Sequence, residues 1–511
     1  MGSLHRLMRF GSMTSKVAMI GVVLLLMGAA PAHLDPDTAA WWRTTAQLSN
    51  DAMEGRDTGS PAYMRAARLV AARFAAAGLR PAGEKGGWFQ NVPMHEIRIT
   101  RATVSADGRA LVFLHDLTVA PAEGMSVHVD APLAYAGYCG AAALGDVRGK
   151  IVICHGTHKA GLPGASEREK AVRAAGAIGM LTIADPGFTV EPPRWPYAYA
   201  RTVTLVSDPR SPDPFLRMTL NADSLGKLVA RSGRNAGALI ADGSAGRPLP
   251  SFAIPTRLRA DFTLRERDIS SPNVLAVMAG SDARLNDQVI VLSAHLDGYG
   301  YGEPVKGDRI YNGTLDDAAY VALLIRLAER RQGHPFRRPI LFAAWTGEEK
   351  GLLGSKWFIA HPTVPKPLLA GNINLDQLRP IFPLKLLTVH ALEDTTLGDD
   401  ATAVAASLGI EVQKDPEPER NLLQRSDQWN FMRAGIPATA FVFGYRPGSR
   451  SEQIYRQWYR TGYHKPQDDL NQSMDWKAAA DFNRFFYKLA ERVADQPARP
   501  SWKGGSPLRP H

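Results

Sequence analysis

Five side chains in the C-terminal half of the chain, His295, Asp316, Glu349, Asp376 and His464, are of the types that hold divalent metal ions. Three carboxylates and two imidazoles make a borderline-hard set, suited to zinc and tolerant of cobalt or manganese. One bridging carboxylate with two further ligands per ion would satisfy two metals roughly 3.5–4 Å apart, the spacing that clamps an attacked oxygen and activates a water. Two neighbours complete the chemistry. Asp297, two residues after His295, can accept the ring's other N–H and fix the tautomer. Glu348 precedes Glu349, and adjacent loop residues point differently, so one can bind metal while the other moves protons as general base. A lone His-x-Asp or Glu-Glu pair is an ordinary solvated feature. The signal here is their order, each after an apolar run.

Those runs are the elements that must position the site. Val289 to Ala294 leads into His295, Ile340 to Trp345 into Glu348-Glu349, and Asn372 to Leu375 into Asp376. Short continuous apolar runs bounded by polar residues and Gly read as strands buried on both faces of a parallel sheet. Ligands bind beyond the carboxyl ends of such strands. His464 falls in a loop after the last expected strand, Ala438 to Phe443. The helix after Asp317 carries Val321, Leu324, Ile325 and Ala328 on one stripe and ends in Arg330-Arg331 and Gly333, basic residues at the negative end of its dipole. Upstream, Trp41 to Gly83 reads as helical, with Leu69, Ala72, Arg73 and Ala76 on successive turns, Met53 to Arg56 in a loop, and Gly78 and Pro81 closing the second helix. From about 126 to 250 the texture changes to short β-like runs broken by Gly and Pro, with one Ala-rich helix, Lys170 to Ala177. This reads as a lid or binding module with Arg247 to Pro250 as its exit linker. The fold class is α/β, a mostly parallel central sheet flanked by helices, with an inserted β-rich module.

Size and composition agree with that reading. A chain of 511 residues, 45% apolar and 22% charged, is globular and too long for one simple core. Arg6, Arg9 and Lys16 precede the apolar run Val17 to Ala30, and Ala30-Pro31-Ala32 supplies a small-x-small cleavage pattern. Residues 1–32 are therefore expected to be a signal peptide cut after Ala32, which places the protein in the periplasm or outside the cell. The run is short for a membrane span of about 20 residues, and no other segment reads as one. The net charge of +10 is spread along the chain without a Lys/Arg block, which excludes a nucleic-acid binder of the usual kind. Cys139 and Cys154 lie in the inserted region. An oxidising compartment permits a disulfide between them, though spacing alone does not fix it. Residues 496–511, rich in Pro, Gly and basic side chains, are expected to be disordered.

The motifs His295-Leu296-Asp297, Gly313-Thr314-Leu315-Asp316-Asp317-Ala318, Gly347-Glu348-Glu349, Asn374-Leu375-Asp376 and Tyr463-His464-Lys465-Pro466 resemble the co-catalytic zinc site of the M28 metallopeptidases. The resemblance extends over nearly all of the mature chain. Leu48 to Gly83 is similar to the N-terminal segment of bacterial members. Asp146 to Val152 and Ala174 to Gly179 look like parts of the protease-associated domain often inserted there, and Ser426-Asp427 with Ala434 to Pro437 matches a further block. The implied divisions are 33–125 as the N-terminal part of the peptidase domain, 126–255 as the inserted domain and 256–495 as the catalytic domain.

The resemblance implies two zinc ions bridged by Asp316, one completed by His295 and Asp376, the other by Glu349 and His464. It implies Glu348 as general base, Asp297 as partner of His295, Tyr463 as a donor to the tetrahedral oxyanion, and a cis peptide between Asp316 and Asp317. The implied activity is removal of N-terminal residues from peptides by a metal-activated water. Gln428 and Gln377 depart from the family pattern and imply altered subsites. Tyr299, Tyr301, Tyr311 and Trp345 are candidates for lining a pocket. Three alternatives stay open: a carboxypeptidase of the same family, which needs a cationic pocket with Arg379 or Arg425; a one-zinc glutaminyl cyclase-like enzyme; and a non-catalytic binding protein on the same scaffold. Oligomeric state is not legible.

Overall fold

Four apolar runs meet edge to edge. In the computed structural model, which describes residues 34–184, 195–376 and 378–510, Ala438–Thr439, Leu369–Asn374, Val289–His295 and Ile340–Trp345 lie side by side in that order, all parallel. The expected signal peptide and Gln377 fall outside the described residues. Alternate side chains of these strands enter different cores. Ile290, Leu292, Ala294, Phe342 and Ala344 face one side with the helices Pro36–Ser49, Pro61–Ala76, Ala319–Arg330 and Trp476–Asp495. Val289, Val291, Leu341, Ala343 and Trp345 face the other, against Phe358 and Phe431. Burial on both faces is what made these runs continuously apolar.

The helical expectations stand with one change of face and one shift, the Ala-rich helix expected over Lys170 to Ala177 running Ala165–Ala174 instead. The second N-terminal helix, Pro61–Ala76, ends just before Gly78, whose φ of +80° terminates it. It buries Ala62, Tyr63, Ala66, Ala67, Val70 and Phe74, while Ala72 and Ala76 are exposed, because the aromatic stripe offers more area to the sheet. Val321, Leu324, Ile325 and Ala328 are fully buried, as their spacing required. The expected strand Ala438 to Phe443 is divided. Residues 438–439 complete the main sheet, and Phe441–Phe443 crosses to a small sheet with Leu386–Val389 and Glu411–Gln413.

The inserted module departs more from its expected bounds. Ser251–Met278 is one strand of 28 residues, paired antiparallel with Phe89–Ala106 from Val274↔Phe89 to Leu258↔Ala106. At its far end it pairs with Ile340–Trp345 of the peptidase sheet, at its near end with His128–Ala136 of the module. The module then adds Ile151–His155, Gly179–Ile183 and Leu216–Leu220 in parallel, and Leu117–Ala120 antiparallel at the edge. Its core includes Ile99, Val104, Leu111, Leu117 and Val119 as well as Leu258, Ala260 and Phe262. Residues from about 99 onward thus belong to the module's core rather than to the peptidase part expected for 33–125. Arg247 to Pro250, expected as the exit linker, lies outside any helix or strand, but it leads directly into Ser251–Met278, whose ladder runs from module sheet to peptidase sheet, so the two are joined by continuous strand. Cys139 and Cys154 are disulfide-bonded within the module.

The C-terminal segment is ordered, contrary to its composition. Trp502 Nε1 donates to Gly435 O at 2.8 Å, Ser506 Oγ to Asp394 Oδ1 at 2.7 Å, and Arg338, fully buried, donates to the carbonyls of Gln496, Pro497 and Ala498. Backbone carbonyls and one Trp supply the anchorage that a count of Pro, Gly and charge does not register. Among the described residues no helix is long and apolar enough to cross a membrane. Truncation after Asp495 removes three carbonyl acceptors of the Arg338 guanidinium, leaving it Gln288 Oε1 and the carbonyls of Val493 and Ala494, and should lower stability by about 1–3 kcal/mol; thermal and denaturant unfolding of the shortened chain would measure it.

Candidate metal centre

Each strand end delivers one side chain to a common point. His295 is the last residue of Val289–His295 and sits in register with Trp345. Glu348 and Glu349 follow that Trp after a turn at Gly347 with φ +65°. Asp376 lies just beyond Leu369–Asn374. Asp316 precedes helix Ala319–Arg330, with a cis peptide to Asp317. His464 comes from the loop between Arg450–Thr461 and Trp476–Asp495.

Distances bring all five expected ligands together. His295 Nε2 lies 3.2 Å from Asp316 Oδ1 and 4.0 Å from both Asp376 Oδ1 and Glu348 Oε2. His464 Nε2 lies 3.6 Å from Asp316 Oδ2 and 3.8 Å from Glu349 Oε2. Ligand atoms of Asp316, Glu349 and His464 fall within 4.8 Å of one another, as do those of His295, Asp317 and Asp376. Asp317 is the unexpected member. One of its oxygens accepts the backbone N–H of His295 at 3.1 Å, and the other, Oδ1, is buried without a hydrogen-bond partner, as is Glu349 Oε1.

These residues fit a cation, and the fit is electrostatic. Burial pushes Glu348 and Asp317 well above the usual carboxylate range and Glu349 up to about 7. Asp316 goes the other way: burial opposes its ionisation, but Arg379, 3.2 Å away, and the two imidazoles hold it well below the usual range. Carboxylates packed this closely in a dry site cannot all be charged without a cation among them. Zinc matches this donor set of imidazole and carboxylate.

Around the ligands stands a frame that the sequence did not announce. Asp468 accepts the N–H groups of Leu315 at 2.9 Å and Asp316 at 3.0 Å, tying the Asp316 loop to the His464 loop. Arg56, fully buried, donates to the carbonyls of Leu48, Leu296, Asn312 and Gly313 at 2.7–2.9 Å. It thereby pins the segments after His295 and before Asp316. The expected role of Asp297 shifts: the acceptor nearest His295 Nδ1 is the Asp297 backbone carbonyl at 3.1 Å, with the carboxylate at 3.8 Å. That carboxylate instead takes the Glu348 N–H at 3.1 Å and the Thr58 hydroxyl at 2.7 Å.

The cluster opens to a cleft of about 430 Å³ walled by Tyr199, Tyr299, Leu352, Gln424, Arg425 and Tyr463. Of the aromatic candidates only Tyr299 lines this cleft. Tyr301 is exposed, Tyr311 is buried beneath the cleft, and Trp345 is sealed in the core against Phe358 and Phe431. Gln428 does not shape it either: fully buried, it accepts from Ser426 and Asn374 and donates to Leu423 O. Arg379 lies behind Asp316 and donates to Leu315 O, so it cannot receive a substrate; Arg425 does face the cleft, 3.4 Å from the Tyr463 hydroxyl. Tyr199 comes from the inserted module. Nothing in its local sequence marks it, since it is one of several aromatics in a Pro- and Tyr-rich stretch.

Residues 273–490 match the family model of Peptidase family M28. This region belongs to that family. Curated relatives of this chain include leupeptin-inactivating enzyme 1 of Streptomyces exfoliatus, 24% identical over 66% of this chain and 73% of that protein. Another is the alkaline phosphatase isozyme conversion protein of Escherichia coli (strain K12), 32% identical over 34% of this chain; the chain spans 55% of that protein's length. Among solved structures, the aminopeptidase from Aneurinibacillus sp. strain AM-1 superposes with a TM-score of 0.59 at 18% identity, covering 90% of this chain and 95% of its own. BSAP, a zinc aminopeptidase from Bacillus subtilis, gives 0.61 at 17%, covering 91% and 98%. At such identities the likeness concerns the fold, and it extends through the inserted module.

Two outcomes follow. In chelated protein, Glu349 and Asp427, each raised by burial to about 7, hold protons between about pH 5 and 7 that their unfolded counterparts, at 4.5 and 3.8, have released. The folded state binds more protons there, so stability falls as pH rises through 7; zinc-loaded protein should lose much less over pH 5–8, as melting temperatures with and without chelator would show. Arg56→Ala removes four hydrogen bonds to the carbonyls of Leu48, Leu296, Asn312 and Gly313 and should cost about 3 kcal/mol or more in denaturant unfolding.

Proposed function

We propose that this protein is an exported two-zinc aminopeptidase. The observation that carries the reading is the adjacency of Glu348 to the Asp316–Glu349–His464 set at the floor of an open cleft, with Tyr463 on its wall. Asp316 would be shared between the ions, His295 and Asp376 completing one and Glu349 and His464 the other. Zinc bound there would polarise a scissile carbonyl and lower the pKa of a water. Glu348, its backbone N–H held by Asp297, takes a proton from the attacking water and returns it to the leaving amine. The Tyr463 hydroxyl, on the cleft wall, donates to the oxygen that gains charge. The acidic floor suits a free α-ammonium, which favours the N-terminal end of a peptide. The leader-like residues 1–32 and the Cys139–Cys154 disulfide support export.

One observation favours a second reading. Arg425 lines the cleft and could receive a terminal carboxylate, as a carboxypeptidase requires. A short mixed peptide, free and N-acetylated, with products read by mass, separates the two. Stepwise loss from the N-terminus of the free peptide alone is the expected result; release from the C-terminus of both would replace it. Glu348→Ala should lower kcat by about 10²–10⁴-fold with zinc content unchanged, as metal analysis beside the kinetics would check.

A further inference from the structure

The turn Tyr197–Ala200 of the inserted module is fastened to the peptidase core on several sides. Lys350, next to Glu349, donates its Nζ to Ala198 O at 3.2 Å. Pro196 forms an antiparallel bridge with Gly302. Arg201, immediately after the turn and buried, pairs with Glu96 and, at 2.6 Å, with Asp57, and donates to Thr58 O at 2.7 Å. Thr58 is the residue whose hydroxyl bonds Asp297. This fastening sets the Tyr199 hydroxyl 3.3 Å from His464 Nδ1 and its ring 5.4 Å from that of Tyr299.

His464 is boxed by rings from three segments. Tyr463 stacks on it with centroids 3.6 Å apart, and Tyr299 meets it edge-on at 4.5 Å. Its two nitrogens keep different company. Nε2 is turned toward the carboxylates of Asp316 and Glu349, with the Tyr299 hydroxyl 3.4 Å away, whereas Nδ1 is turned away from those carboxylates, toward the Tyr199 hydroxyl. An imidazole that offers its Nε2 lone pair to a metal carries its proton on Nδ1, and that N–H needs an acceptor to fix the ring.

We infer that Tyr199 is this acceptor: a positioning residue, supplied by the inserted module, that orients His464 toward the cation held by Asp316 and Glu349. The seating of the module on the core thereby completes one of the two metal positions. The inference rests on the two-zinc reading above. It makes the module part of the metal centre, beyond any contact it has with substrate.

Tyr199→Phe keeps the ring against Tyr299 and removes only the hydroxyl. Hydrogen-bond partners of ligating imidazoles change metal affinity by about 10–100-fold. Zinc titration against a competing chelator should give two dissociation constants for the unaltered protein. In Tyr199→Phe one of them should weaken by that factor, the other stay, and the melting temperature of the chelated protein stay with it. The visible spectrum of the cobalt-substituted protein should change at the weakened position only. Lys350→Met, which loosens the turn but keeps the hydroxyl, should weaken the same constant by a smaller factor, and it serves as the test should Tyr199→Phe fail to fold. Two constants both unchanged by Tyr199→Phe, or both weakened equally, would overturn the inference and leave the two-zinc reading intact. Unaltered protein that binds fewer than two zinc ions would overturn that reading itself.

Discussion

Like charges held together out of water are the constraint on which this structure turns. Asp316, Asp317, Glu348, Glu349 and Asp376 converge at the carboxyl ends of parallel strands, with His295, His464 and Arg379 among them as a partial offset. Left to themselves such groups would take up protons or separate. The fold prevents separation by fixing each on rigid backbone, and it spends its hydrogen bonds there. His295 N–H meets Asp317, Glu348 N–H meets Asp297, and the N–H groups of Leu315 and Asp316 meet Asp468. A cation supplies what these contacts leave over, so binding a metal and holding the site together are the same act.

The scaffold is shaped to keep that cluster still. Its strands are buried on both faces, and helix Pro36–Ser49 reaches the Asp316 segment through Trp41, whose Nε1 donates to Ala319 O at 2.6 Å. Arg56 performs a similar task from a loop. A guanidinium has five donors in a fixed fork, and here they gather the carbonyls of three separate segments around one buried charge.

Two long strands make the second module part of the same body. Phe89–Ala106 and Ser251–Met278 run side by side from the peptidase sheet into the module, so strain in one is felt in the other. Because the joint is hydrogen-bonded sheet rather than a linker, the module cannot swing freely, and its turn at Tyr197–Ala200 can be placed to within a hydrogen bond of His464.

How much of this was legible depends on the range of the interaction. The continuous runs before His295 and Glu348, and the stripe Val321, Leu324, Ile325 and Ala328, declared strands and helix because burial imposes a local period on the chain. The gathering of these acids and imidazoles was legible too, since the parallel sheet puts strand ends at one edge and the polar residues follow each run directly. The extent of the module was not. Ser251–Met278 alternates near Leu258, is exposed around Arg265 and is wholly buried by Val274, three patterns in one strand, and a reader of periodicity sees three segments. Nor could composition foresee that the tail would be anchored through Trp502 and Arg338, or that Arg379 would turn inward to Asp316 while Arg425 faced the cleft. The sequence by itself determined the parallel core and which acids and imidazoles gather at its edge, because these follow from neighbours along the chain. Tertiary structure alone decided which partners hold them, Arg56, Asp468, Asp317 and Tyr199, because a hydrogen bond between different segments of the chain leaves no period in either.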